Sequence, residues 1–291
     1  MRIVMALGGN ALLPKGAKGT ADAQLESAKK AITGIEEVLK KNQVVLTHGN
    51  GPQVGNLLLQ QHTTDEVPDM PLDVLDAMTQ GQIGYFIASA ISLTGLHSAT
   101  LITRVVVDPE DKAFQNPTKP IGPFYDKQIR PGMKMDAGRG YRVVVSSPEP
   151  LKIRESDAVI ALLEKGFVVT AVGGGGIPIK ENGEGLEAVI DKDRATSLLA
   201  HQINADLLVF VTSVDSVYIN FGKPNQNKLS KTGVKMAKKY MDEDQFAEGS
   251  MKPKVEAAIN FLEKGGKKAI ICSIENLHEA LAGKAGTTIF P

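Results

Sequence analysis

Residues 44–59 read VVLTHGNGPQVGNLLL. The aliphatic, β-branched run Val44-Val45-Leu46 has the composition of a buried strand. It stops at Thr47-His48 and gives way to Gly49-Asn50-Gly51-Pro52. Val54, Leu57 and Leu58 then recur at helical spacing. The order is strand, glycine turn, helix. Such a turn aims backbone N–H groups and the positive end of a helix dipole at one point, which favours an anion there. The same arrangement is predicted twice more. Residues 2–7 read as a strand ending at Gly8-Gly9-Asn10, and residues 167–172 as one ending at Gly173-Gly174-Gly175-Gly176. Three glycine-lined strand ends point to one polyanionic ligand held from several sides.

Outward from these loops, strands and helices alternate. Helical spacing covers residues 21–41, 71–93, 157–165, 193–204, 252–264 and 275–282. Strand patterns cover 100–107, 205–211, 268–273 and 287–290, and 212–224 reads as a loop. Pro253 falls in the first turn of its helix, a favoured place for proline. This alternation predicts an α/β fold with a mostly parallel sheet covered on both faces. Such sheets bind ligands at the carboxyl ends of their strands, where the glycine loops lie. Residues 108–150 break the pattern, with prolines at 109, 117, 120, 123, 131, 148 and 150 among aromatic and basic residues. Regular helices and central strands exclude that density, so a small lid or protruding subdomain is expected. Ala77, Gly81, Gly84 and Ala88 allow close packing of the 71–93 helix, in the core or between subunits.

The chain has 291 residues, enough for two lobes. It carries 33 basic and 33 acidic residues, a balance that gives no support to a nucleic-acid partner. The single cysteine, Cys272, allows no internal disulfide and reads as a buried thiol. No apolar run approaches the ~18 residues of a membrane helix, and no apolar leader opens the sequence. A cytoplasmic protein without membrane contact is expected.

Several phosphate and metal motifs are absent or incomplete, which leaves an NAD-binding module as a weaker alternative. There is no Gly-x-x-x-x-Gly-Lys-Ser/Thr string, and Gly49-x-Gly51-x-x-x-Gly55 has one residue too many for the dinucleotide fingerprint. No Gly-x-Ser-x-Gly elbow is present. His48, His62, His97, His201 and His278 form no zinc-binding pair, and His48 reads as a hydrogen-bonded structural residue.

Seven blocks carry a family resemblance: ALGGNALL (6–13), THGNGPQVG (47–55), NPTKPIGPFY (116–125), GGGGIP (173–178), VIDKDRA (189–195), VDSVYINFGKP (214–224) and EGSMKPKVEAA (248–258). In this order they resemble carbamate kinase, of the amino-acid kinase superfamily. The resemblance implies a three-layer α/β/α sandwich with a mainly parallel central sheet, a small lid subdomain at 108–150, and a homodimer. It places the carbamate and phosphoryl-acceptor side in residues 1–165 and the nucleotide side in 166–291. The implied reaction is reversible phosphoryl transfer between MgATP and carbamate, giving ADP and carbamoyl phosphate. Mg2+ would accompany the nucleotide, with its protein ligands unassigned. The same site serves ATP synthesis in arginine catabolism or carbamoyl phosphate synthesis.

The residues suit that chemistry. Carbamate is already an anion, so it needs no general base. The difficulty is bringing it to a triphosphate of like sign, which calls for lysines and backbone N–H groups. Lys192, before a helix, and Lys254, in the first turn of one, are the candidates. Asp193 matches the family aspartate that holds the two lysines, and Lys119 the lysine that reaches in from the subdomain. By the same resemblance Gly8, Gly9 and Asn10 approach the transferring phosphoryl group, and Gly49, Asn50 and Gly51 hold carbamate. Gly174, Gly175, Asp215 and Tyr218 belong to the nucleotide end. Asp191 reads as a helix cap or a residue near the metal. Two features depart from wider patterns: Ala6 stands where many superfamily relatives have lysine, as in carbamate kinases, and Ser213 stands where the family commonly has aspartate. The alternatives are a superfamily kinase for another small acid or phosphonate, and a non-catalytic nucleotide-sensing subunit.

Overall fold

The computed structural model describes residues 1–8, 12–13, 19–61, 63, 66–128, 132–135 and 140–291. β1 (Arg2–Leu7) leads to α1 (Ala21–Lys41), β2 (Gln43–His48), α2 (Gly51–Gln61), α3 (Leu72–Ser92), β3 (Ser98–Thr100) and β4 (Arg104–Val106). Then come β5 (Lys119–Tyr125), β6 (Met133–Met135), β7 (Tyr141–Val145), β8 (Lys152–Ile153), α4 (Ser156–Glu164), β9 (Val168–Thr170) and β10 (Ile177–Ile179). The remainder runs α5 (Lys192–Gln202), β11 (Leu207–Thr212), β12 (Val217–Ile219), β13 (Asn227–Leu229), β14 (Lys231–Gly233), α6 (Val234–Asp242), α7 (Met251–Glu263), β15 (Lys268–Ser273), α8 (Leu277–Leu281) and β16 (Thr287–Phe290).

An eight-stranded sheet in the order β14-β16-β15-β11-β1-β2-β9-β3 forms the middle layer. Its pairings are parallel except β15 with β16. Strand side chains alternate between faces. Val4 and Ala6 of β1 join a core built with α4, α5 and α7, whereas Ile3, Met5 and Leu7 join one built with α1, α3 and α8. Both faces are therefore buried, which explains the near-continuous aliphatic strands. The result is the expected three-layer α/β/α sandwich.

The proline-rich segment contributes a separate antiparallel sheet, β5-β7-β6. Its prolines Pro120 and Pro123 lie on β5, an edge strand with a register shift between Ile121 and Tyr125, so their missing N–H groups interrupt no inner ladder. Gly55 of α2 lies against β5: a Cβ there would stand 2.5 Å from the Gly122 Cα. The Arg142 guanidinium covers the Phe124 ring at 4.9 Å.

Three expectations are corrected. The strand at 100–107 is two strands in two sheets, β3 in the large sheet and β4 between β10 and β8. The Thr103 N–H donates to Gln80 Oε1 (2.8 Å) and its hydroxyl donates to Leu101 O (2.9 Å), turning the chain out of the large sheet. The tetraglycine opens no helix. It makes one 3-10 turn and enters β10, because Gly174, Gly175 and Gly176 take φ of 69, 101 and 87°. The loop at 212–224 contains β12, which pairs with β13.

Candidate functional site

Because β11, β1, β2 and β9 run parallel, their carboxyl ends bring Thr212, Gly8, Gly49 and the tetraglycine to one rim of the sheet. The N-terminus of α5 is drawn to this rim by a buried hydroxyl pair. The Thr196 hydroxyl donates to Lys192 O (2.6 Å), so Thr47 of β2 donates to Thr196 Oγ1 (2.7 Å). Asp191 caps α5, accepting from the N–H of Asp193 (2.9 Å) and of Arg194 (3.3 Å).

This places the predicted charged residues together. The Asp193 carboxylate accepts from Lys192 Nζ on one oxygen and from Lys254 Nζ (3.1 Å) on the other. Lys254 also donates to Ser250 O (3.1 Å). Burial, and then the neighbouring Lys192, push the Lys254 ammonium below the ordinary lysine value, against the pull of Asp193. Lys119 reaches from β5 to Asp191 Oδ2 (2.6 Å). Burial works to raise the Asp191 carboxyl, but the Lys119 ammonium overrides it and holds the group well below the usual carboxylate range. Asp191 is thus both the predicted cap and an anchor for the subdomain lysine.

On the strand side, Gly49 lies under the stem of Lys192, whose Cδ would be 3.4 Å from a Cβ at that position. Gly51 begins α2, and Asn50 O accepts from the Val54 N–H (2.9 Å). Gly8 directs its N–H to Val211 O (3.0 Å). Gly9 and Asn10 lie outside the described residues. His48 approaches Gly49 O through Nδ1 (3.1 Å), and burial lowers its pKa to about 4. It is therefore neutral near pH 7.

At the other end, a cavity of about 190 Å³ is lined by Ser213, Tyr218, Phe221, Phe246, Ser250 and Met251, among others. Its mostly apolar and aromatic wall suits a flat ring. Ser250 links it to Lys254. Asp215 braces the wall, accepting from the Tyr218 hydroxyl (2.9 Å) and Lys228 Nζ (2.7 Å). Gly174 and Gly175 are placed elsewhere: Gly174 lies against the Asn50 amide and Gly175 against Ile190 O, beside the Asn50 loop. Among the described residues no three His, Cys, Asp or Glu side chains form a metal-binding group. Asp191 and Asp193 are already paired with lysines, so the donor set fits a Mg2+ that arrives on phosphate oxygens.

Sequence reasoning missed the residues under Asn50. Its Nδ2 donates to Asp76 Oδ1 and to Thr79 Oγ1, both at 2.9 Å. Asp76, Thr79 and Gln80 are polar residues on the buried side of α3. Their recurrence beside Leu72, Leu75 and Ile83 was the available signal. Gln80 in turn donates to Gly173 O (2.9 Å) and holds the tetraglycine turn.

The amino acid kinase family model matches residues 1–273. The carbamate kinase of Thermococcus kodakarensis is 46% identical over 99% of this chain and 98% of its own length. Carbamate kinase 2 of Staphylococcus aureus (strain MRSA252) is 48% identical with the same coverage. The structure of carbamate kinase from Giardia lamblia bound to AMP-PNP superposes with a TM-score of 0.92 at 43% identity, covering 99% of this chain and 98% of that one. The chain belongs to the amino acid kinase family and, within it, to the enzymes called carbamate kinases.

Proposed function

We propose that this enzyme moves a phosphoryl group reversibly between MgATP and carbamate, giving ADP and carbamoyl phosphate. The observation that carries the reading is the Asp193 carboxylate holding two ammonium groups, Lys192 and Lys254, between the Gly49–Asn50–Gly51 loop and the aromatic cavity. Two anionic reactants must meet there. Lys192 and Lys254 offset their repulsion and the charge that builds on the transferring group. Lys119 supplies a third cation from the subdomain. The family resemblance assigns Gly8, Gly9 and Asn10 to the transferring group, and Gly49, Asn50 and Gly51 to carbamate. Asp215 and Tyr218 serve the nucleotide end, whereas Gly174 and Gly175 back the Asn50 loop on the carbamate side. In this reading residues 1–165 form the acceptor side and 166–291 the nucleotide side. Mg2+ enters as part of the nucleotide substrate and neutralises phosphate charge.

A larger acid or phosphonate would call for a fixed cation to meet its second acid group. Arg194, the arginine nearest in sequence to the lysine pair, is instead engaged by Glu149 (3.0 Å) and Glu256 (3.4 Å). Arg194 is thus committed to those two carboxylates rather than to a substrate. A homodimer fits α3, whose Met78 and Tyr85 are 45% and 67% exposed, with Leu93 71% exposed just beyond it. No helix among the described residues is long and apolar enough to cross a membrane, and the free thiol of Cys272 suits the cytoplasm.

The test is ATP formation from carbamoyl phosphate and MgADP by wild type and Lys192→Ala. Robust activity that falls by about 10²–10³-fold in the variant is expected. A folded wild type that binds MgADP yet forms no ATP would overturn the carbamate reading. An unaffected variant would overturn the role of Lys192.

A further inference from the structure

We infer that Asp76 and Thr79 are positioning residues for substrate selectivity: they lock the Asn50 amide so that its carbonyl oxygen is the group offered to the amino group of carbamate. The inference rests on the reading that the Asn50 loop receives carbamate.

Asn50, Asp76 and Thr79 are 3%, 1% and 0% exposed. The Thr79 hydroxyl gives its proton to Asp76 O (2.8 Å), so toward Asn50 its Oγ1 can only accept. Asp76 Oδ1 also accepts. Two acceptors thus face one end of the Asn50 side chain, and only the NH2 end satisfies both. A flipped amide would set its oxygen against two oxygens. Gly174 covers the amide so closely that any side chain there would collide with it. The amide is therefore held from both sides, and its Oδ1 takes no hydrogen bond among the described residues.

The other carboxyl oxygen of Asp76, Oδ2, is buried without a hydrogen-bond partner among the described residues. Burial raises the pKa of the group to about 7, with the Asn50 bond opposing and Asp73 adding to the rise. The Thr79 oxygen accepts whichever form Asp76 takes, and the ionised Asp76 adds a second acceptor beside it. A buried carboxyl with one unmet oxygen is costly where only packing is at stake. Here it imposes polarity on a neighbour.

An acceptor aimed at the substrate distinguishes an N–H donor from a methyl group of the same size. A site built to hydrogen-bond an N–H rejects the analogue lacking it. Acetyl phosphate is that analogue of carbamoyl phosphate, with CH3 in place of NH2. The experiment compares kcat/KM for ATP formation from MgADP with each acyl phosphate, in wild type, Asp76→Ala, Thr79→Val and Thr79→Ser. Wild type is expected to prefer carbamoyl phosphate by about 100-fold or more. In Asp76→Ala and Thr79→Val that preference falls by about 10-fold or more while the KM for MgADP holds. Thr79→Ser, which keeps the hydroxyl, retains the wild-type ratio. Thr79→Val changes little volume and decides the matter if Asp76→Ala fails to fold. A wild type without preference, or variants that lose both substrates in parallel, would overturn the inference alone. No ATP from carbamoyl phosphate in wild type would instead remove the carbamate reading beneath it.

Discussion

Lys254 Nζ stands 3.1 Å from Asp193 Oδ2, with the two side chains 11% and 5% exposed. The remaining oxygen of Asp193 is taken by Lys192. One carboxylate therefore keeps two like charges side by side in a poorly solvated place. Lys254→Met leaves the Lys192–Asp193 pair intact, so stability should change little. Turnover should fall by about 10²–10³-fold in ATP formation. Asp193→Ala differs, because it strands two ammonium groups together. It should lose about 3–5 kcal/mol of stability in urea unfolding. Equal stability losses in the two variants would contradict this assignment.

The Lys119–Asp191 pair ties the subdomain to the cap of α5 and should be visible in acid. The folded-state pKa of Asp191 is depressed by Lys119. Its contribution to stability is thus present above the unfolded value of about 3.9 and lost as pH falls through the folded value. In Lys119→Met the depression is relieved, so acid unfolding should begin at higher pH than in wild type. Circular dichroism across pH 2 to 6, roughly the carboxylate range, measures the shift. A variant with an unmoved acid midpoint would show that the pair does not hold the subdomain.

Gly55→Ala tests how the subdomain is seated. The added methyl would meet the Gly122 backbone at 2.5 Å, and backbone cannot rotate away. The cost should be about 1–3 kcal/mol in urea unfolding. β5 must shift, and Lys119 with it, so turnover should drop more than in a surface Gly→Ala control such as Gly81→Ala, where a Cβ meets nothing within 4 Å.

Tyr218→Ala tests the aromatic cavity. Removing one ring contact of about 1 kcal/mol should raise the KM for ADP roughly 5-fold. The KM for carbamoyl phosphate should stay put. The opposite split would move the nucleotide away from this cavity.

The alternation of the chain was legible because each β-strand in a two-sided sheet is aliphatic throughout and each helix has one apolar face. Helix 21–41 and the closing strand 287–290 have the bounds read from the sequence. Lys192, Asp193 and Lys254 are candidates through motifs shared with carbamate kinases, and the structure brings their three side chains together. The division of 100–107 between two sheets was not legible. It depends on Gln80, which lies 23 residues from Thr103 along the chain and captures its N–H. The course after the tetraglycine was hidden for the same reason: four glycines permit many turns, and Gln80 holds the one adopted.

The sequence by itself determined the layers of this protein and the strand ends that carry its glycine loops. Those features follow from local periodicity and residue chemistry. Only the tertiary structure decided that Lys119 ends on Asp191 and that the Asn50 amide meets Asp76 and Thr79. A carboxylate in a helix carries no mark of its partner in the sequence. Its burial beside an amide 26 residues away is set by the packing of α3 against the strand rim, and burial turns an ordinary aspartate into one that dictates its neighbour's orientation.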